Sequence, residues 1–357
     1  MPLRWKCSKY FCRQVVKIDI GNRIKCAVPD KLYYALHVVM GTDKQIWKSD
    51  VLGSEFEMTY VQQPDDYSGK VRCTVVRRCA DAPSDRAILY VHGFSDYFFH
   101  KEMAEMFAGN GYNFYAVDLR KYGRSLLPGQ RMFQVRDIYE YFADIDAAID
   151  IIGSDGNSEA VLLGHSTGGL TTSLYMTEAP SPMIKALMLN SPFLAWNKPP
   201  LIRDVAIPAV GMLGRFMPNV HVHQKADRGY AESLLQEYGG EWSYRKDWKP
   251  DVMPDPDMGW VRAIDRAQKE LRKRKIGVPV LLMHSAASVR KGDGPEKYRG
   301  ADAILDVKSI SKYGRLLGPD VTEVNFEGGL HDLALSRKDV RAKMYEVMLD
   351  WLREERV

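Results

Sequence analysis

The chain has 357 residues, 45% hydrophobic and 27% charged, an ordinary globular balance, and carries a mild net charge of +4. With no dense basic face and no nucleic-acid motif, a nucleic-acid partner is not expected. No apolar run approaches the roughly 18 residues of a membrane-spanning helix, so stable membrane insertion is not expected either.

Residues 1–45 are basic and hold three of the five cysteines, Cys7, Cys12 and Cys26; they show neither a strand nor a helix period. They lack the apolar core and small-residue cleavage site of a secretory signal, and read as an N-terminal extension. Cys73 and Cys79 complete a sparse, odd set that does not frame disulfides. The extension's cysteines also lack the paired spacing of a zinc site. A reducing, cytoplasmic setting and no metal follow as expectations.

From residue 56 the pattern becomes regular. FEMTYVQQ (56–63) and KVRCTVVRR (70–78) alternate like half-buried antiparallel strands around the turn PDDYSG. AILYVHGF (87–94) is a nearly unbroken apolar run, as a parallel strand buried on both faces requires. KEMAEMFAGNG has helical spacing with a glycine stop. YNFYAVDL (112–119), AVLLGHS (160–166) and KALMLNSPF (185–193) are further strands, with a long amphipathic helix over 135–153 and another after Ser166. The rhythm breaks over 194–275, then resumes with VPVLLMHS (278–285), VTEVNFEGG (321–329) and a closing helix. Alternating strands and helices predict an α/β fold, a mostly parallel sheet flanked by helices. Residues 46–193 and 276–357 form its core, and 194–275 an inserted cap over the carboxyl edge, where such sheets bind ligands.

LLGHSTGGL (162–170) places Ser166 between glycines where a buried strand turns into a helix. The G-x-S-x-G pattern in that context is a nucleophile elbow: small neighbours permit a strained turn that presents the serine hydroxyl. A serine is a weak nucleophile without a base, and the base needs an orienting acid. His331, in EGGLHDL after the last strand, is the candidate base. His92 and His165 flank the same elements and read as loop-orienting residues. The acid should follow VPVLLMHS, where Asp293, Asp302 and Asp306 are available; Asp302 is preferred because Asp306 precedes a helical pattern it can cap. The oxyanion needs two backbone N–H donors, expected from Thr167 and from Phe94 in HGFSDY.

YVHGFSDY, NFYAVDLRKYGRS, GHSTGG and GGLHDL, in that order, resemble the monoacylglycerol lipase and lysophospholipase branch of the α/β-hydrolases, also called the serine aminopeptidase-like family. The resemblance spans roughly residues 85–350. It implies an α/β-hydrolase fold, Ser166 as nucleophile, His331 as base, Phe94 and Thr167 as oxyanion donors, and cofactor-free hydrolysis of carboxylic esters under a variable cap. Two departures stand out. The family's acid usually follows its strand at once, in a G-S-x-D pattern, whereas this chain has HSAAS (284–288) and reaches ADAILDV only after an insertion. Thr167 also stands where methionine is common.

The expected function is cleavage of acyl esters of lipid-like or small molecules through an acyl-enzyme. The cap's apolar stretch, with Met212, Phe216 and Met217, is the candidate acyl-chain wall; packing of the cap onto the body is the competing explanation for the same residues. Alternatives are a peptidase of the proline iminopeptidase type, for which Asp251, Asp255 and Asp257 would hold a substrate amine, a thioesterase, and a catalytically dead binding scaffold. The expected partner is a small-molecule ester, with no cofactor.

Overall fold

The structure, a computed structural model, describes residues 45–178, 180–224, 227–355 and 357. The extension, apart from residue 45, and with it Cys7, Cys12 and Cys26, lies outside the described residues.

A nine-stranded sheet is built from β1 (Lys48–Asp50), β2 (Gly53–Asp66), β3 (Gly69–Arg78), β4 (Arg86–Val91), β5 (Asn113–Asp118), β6 (Glu159–His165), β7 (Ile184–Asn190), β8 (Val280–Ser285) and β9 (Val321–Phe326). The spatial order is β1-β2-β3-β5-β4-β6-β7-β8-β9. The first three strands form an antiparallel meander that joins β5 antiparallel, and every pairing from β5 to β9 is parallel.

The helices are α1 (Lys101–Gly109), α2 (Phe142–Ser154), α3 (Thr167–Glu178), α4 (Ile207–Leu213), α5 (Gly229–Leu234), α6 (Met258–Leu271), α7 (Pro295–Tyr298), α8 (Val307–Gly314) and α9 (Lys338–Glu355). They cover both faces of the sheet, and the central strands divide their side chains accordingly. In β4, Ala87, Leu89 and Val91 enter one apolar cluster, while Ile88 and Tyr90 enter the other. Leu162 and Leu163 of β6 split the same way, as do Leu282 and Met283 of β8. Strict alternation of two apolar sets is why these strands read as continuous runs rather than as amphipathic ones. Helices α2, α3, α6 and α8 pack on the first face and α1 and α9 on the second.

Two details depart from the sequence reading. The helix expected from residue 135 begins as a single 3₁₀ turn, Ile138–Tyr141, ahead of α2. Asp137 and Glu140 close a capping box there, which fixes the start and leaves 135–137 outside. Within the stretch 194–275, α6 sends Trp260, Val261, Ile264, Ala267 and Leu271 into the sheet's own apolar cluster. That helix serves the body, while other residues of the stretch, among them Trp196, Tyr230, Tyr244 and Lys249, line the same cavity as Ser166. Among the described residues no helix is long and apolar enough to cross a membrane.

Candidate active site

Ser166 directly follows β6 and precedes α3, with φ of +51°, in the left-handed region that L-residues rarely adopt. The surrounding bonds hold it there: its N–H donates to Asn190 O at 3.0 Å, and its carbonyl accepts from Phe193 N–H at 2.9 Å and Leu170 N–H at 3.1 Å. A Cβ on Gly168 would collide with the carbonyl oxygens of Val91 and His92, so only glycine lets α3 lie this close to the end of β4.

His331 lies on the loop after β9, with its Nε2 at 3.0 Å from Ser166 Oγ. Its Nδ1–H donates to Asp302 Oδ2 at 2.9 Å. Asp302 is 1% exposed, and its other oxygen accepts from Ile304 N–H and Leu305 N–H, both at 2.8 Å. The detour between β8 and Asp302 closes on itself: Asp302 N–H donates to Ala287 O, and Val289 N–H donates to Asp302 O, each at 2.8 Å. The insertion is thereby looped out, and the aspartate returns beside the residues that leave β8. Asp306 stands at the N-cap of α8 and accepts from Ser309 Oγ at 3.0 Å; Asp293 accepts from Arg290 N–H in an exposed turn.

Ser166, His331, Phe94 and Thr167 all line one cavity of about 360 Å³. Thr167 is the first residue of α3, so its amide belongs to the helix end whose N–H groups have no intrahelical partner and where the dipole favours negative charge. One wall of the cavity is aromatic and aliphatic: Phe94 packs on Trp260 at 4.5 Å between ring centres and Phe193 on Trp196 at 5.1 Å, with Ile304 and Leu305 beside them.

Met212, Phe216 and Met217 do not line this cavity. They are 72%, 77% and 53% exposed, a correction to the acyl-wall expectation. For Met212 the reason is the rotation of α4: Ile207 and Gly211 form its buried face, and Gly211 packs close to the backbone of Arg262 on α6, which turns Met212 outward, whereas Phe216 and Met217 lie beyond the end of α4.

Behind Ser166 lies a buried polar cluster that no spacing in the chain announces. Asp332, next to the candidate base, accepts from His100 Nε2 and Asn190 Nδ2, both at 2.8 Å. Burial alone would raise its pKa, but the neighbouring His165 and His100 and the His100 hydrogen bond hold it far below the usual carboxylate range. Desolvation pushes His165 down to about 4, so its imidazole is neutral at pH 7. Asp96 is paired with Lys249 at 2.9 Å, an interaction spanning 153 residues of chain. Asp96, His165 and Asp332 offer ligand atoms within 4.8 Å of one another, a donor set of the kind that takes a divalent metal. Lys249 and His100 already occupy an oxygen of each carboxylate, which works against a cation there. His92 accepts from Leu119 N–H at 3.0 Å, just beyond β4 and β5, and His165 Nδ1 lies 3.2 Å from Asn190 O at the paired ends of β6 and β7, so both histidines join neighbouring strand ends.

With this geometry in hand, comparison with known proteins adds five findings. Phospholipase YtpA of Bacillus subtilis (strain 168) is 32% identical over 116 residues, 32% of this chain and 43% of that protein. Epoxide hydrolase 4 of Mus musculus is 31% identical over 105 residues, 29% of this chain and 28% of that protein. The chain thus spans less than half the length of these curated relatives. Among solved structures, a monoacylglycerol lipase of Paleococcus ferrophilus is 23% identical with a TM-score of 0.59, covering 78% of this chain and 98% of that one. A soluble variant of monoglyceride lipase from Saccharomyces cerevisiae, in complex with a substrate analog, is 16% identical with a TM-score of 0.62, covering 87% and 99%. Both share the fold. A family model described as serine aminopeptidase, S33, matches residues 82–289, more than half of the chain, and this protein therefore belongs to that family of α/β-hydrolases.

Proposed function

We propose that the protein is a serine hydrolase that cleaves carboxylic esters of lipid-like or small molecules through an acyl-enzyme. The observation that carries this reading is the continuous chain from Asp302 through His331 to Ser166, with links of 2.9 and 3.0 Å on buried side chains. Ser166 Oγ attacks the ester carbonyl carbon while its proton passes to His331 Nε2. Asp302 holds the imidazole with its Nδ1–H donated to the carboxylate and stabilises the imidazolium that forms. The Phe94 and Thr167 amides receive the oxyanion, and loss of one such donor costs about 3–4 kcal/mol of transition-state stabilisation. Collapse expels the alkoxide, which takes the proton from Nε2, and water then repeats the sequence on the acyl-enzyme. Phe94, Phe193, Trp196, Trp260, Ile304 and Leu305 make an apolar wall fitted to an acyl chain. The similar phospholipase, monoacylglycerol lipase and monoglyceride lipase accord with such a substrate.

The peptidase reading has less support. Asp251 lines the cavity, but Asp257 caps α6 through Trp260 N–H at 2.7 Å and Asp255 pairs with His223 at 2.5 Å. Epoxide-hydrolase chemistry uses an aspartate at the elbow, where this chain has Ser166. The test is an ester panel of graded acyl length together with an aminoacyl arylamide, run on wild type and Ser166→Ala. The wild type should hydrolyse esters and take up one equivalent of a fluorophosphonate, and the variant should do neither while melting normally. Ester turnover by purified Ser166→Ala would end the proposal, and an inert, unlabelled wild type would favour the scaffold.

A further inference from the structure

The segment 242–250 of the inserted stretch contains neither α-helix nor named strand, yet it is clasped to both catalytic loops. Trp242 donates its indole N–H to Leu335 O at 2.7 Å, beyond the candidate base. Arg245 N–H donates to Tyr97 Oη at 2.9 Å, and Trp248 packs edge-on against the Tyr97 ring at 5.1 Å. Tyr244 packs on Phe99 at 5.5 Å. At the end of the segment Lys249, 8% exposed, sends its ammonium to Asp96 Oδ1, with Asp96 1% exposed.

Asp96 is two residues beyond Phe94, whose amide is the expected oxyanion donor. Ser95, between them, has φ of +53°. A non-glycine residue in that region holds its conformation only when its surroundings over-determine it. The Ser95 hydroxyl is buried and without a partner among the described residues, so it does not pin the turn itself. A buried ion pair is a poor source of net stability, because desolvation of both ions offsets their attraction. Its use has to be sought in what it orders. Asp96 is ionised here: burial favours the neutral acid, but Lys249 foremost, then His100 and His165, draw it below its ordinary range.

We infer that Lys249 is a positioning residue: through the buried ion pair with Asp96 it locks the 93–97 turn so that the Phe94 amide stays aimed at the reacting carbonyl oxygen. The inserted stretch then contributes to the rate as well as to the shape of the pocket. The inference rests on the serine-hydrolase reading, and its consequences fall on kcat because the donor acts on charge that develops only in the transition state.

The experiment compares Lys249→Met, Asp96→Asn, the double variant and Lys249→Arg on a p-nitrophenyl ester, with melting temperatures alongside and Ser166→Ala as reference. Lys249→Met and Asp96→Asn should each lower kcat by about 10- to 100-fold, the effect of misaligning rather than deleting an oxyanion donor. KM should move by less than about threefold, as expected for an interaction made only in the transition state. The double variant should be no slower than the worse single one, since both break the same link. Lys249→Arg should restore most of the rate. If Lys249→Met does not fold, Asp96→Asn and Lys249→Arg carry the same comparison. Unchanged kcat, a loss confined to KM, or multiplying losses in the double variant would each overturn the inference. An active Ser166→Ala would instead sink the hydrolase reading on which it rests.

Discussion

Replacing Asp302 by asparagine changes one oxygen to an NH₂ and little else, so its effect can be worked out from the hydrogen bonds. The carboxylate uses both oxygens: Oδ2 accepts from His331 Nδ1–H, and Oδ1 accepts from two backbone N–H groups. An asparagine has two ways to sit. With its oxygen toward His331, the NH₂ faces the Ile304 and Leu305 N–H groups, leaving buried donors unpaired at roughly 1–3 kcal/mol each. With its oxygen toward those amides, the NH₂ faces Nδ1, and the imidazole must carry its proton on Nε2 instead. The second arrangement wins, and it puts an N–H where Ser166 needs an acceptor. A loss on the order of 10⁴ in kcat is expected, about 5.5 kcal/mol of barrier. Asp306→Asn is the control, because that side chain meets only Ser309 at the start of α8; it should cost no more than about 1 kcal/mol of stability and leave turnover intact. Initial rates on a short-chain p-nitrophenyl ester, with thermal melts to verify folding, decide the matter. An Asp302→Asn enzyme within tenfold of wild type, or an equal loss in Asp306→Asn, would refute the assignment.

Three further outcomes can be checked. Exchanging Met212, Phe216 and Met217 together for serine should leave KM for a soluble short-chain ester within about twofold, since these side chains face solvent and make no contact in the pocket that uniform binding could lose; a large rise in KM would return them to the binding wall. Gly168→Ala should cut both activity and melting temperature, because the added methyl meets the carbonyls of Val91 and His92; an unperturbed variant would show that α3 has slack. Acid should destabilise the fold early. The His165 pKa is about 4 in the folded protein against an ordinary 6.5, so the unfolded chain binds the proton first and stability falls as pH drops from about 6.5 to 4. The full step is about 3 kcal/mol, and His165→Gln should flatten it in urea melts at pH 7 and pH 4.5. The depressed Asp332 pKa acts in the same direction, but only as pH falls below its unfolded value of 3.8.

What the chain order alone determined were features written in local period and turn chemistry. Apolar runs long enough for a strand, each followed within a few residues by glycine, locate β4 and β6, and a serine with small neighbours at a strand-to-helix junction can adopt φ of +51° without a clash. The parallel sheet, and Ser166 and His331 as candidates, were legible for that reason. The place of Asp302 beside His331 is not written in spacing, which cannot tell a loop that wanders from one that closes; the mutual bonds of Asp302 with Ala287 and Val289 bring its carboxylate to the imidazole. The exposure of Met212, Phe216 and Met217 was equally hidden, since an apolar stretch shows its period but not its partner. The Lys249–Asp96 pair and the His100–Asp332 bond join residues 153 and 232 positions apart. No local pattern encodes such contacts. They exist because desolvated charges must find partners once the chain has closed around them, and only the closed chain determines which partners those are.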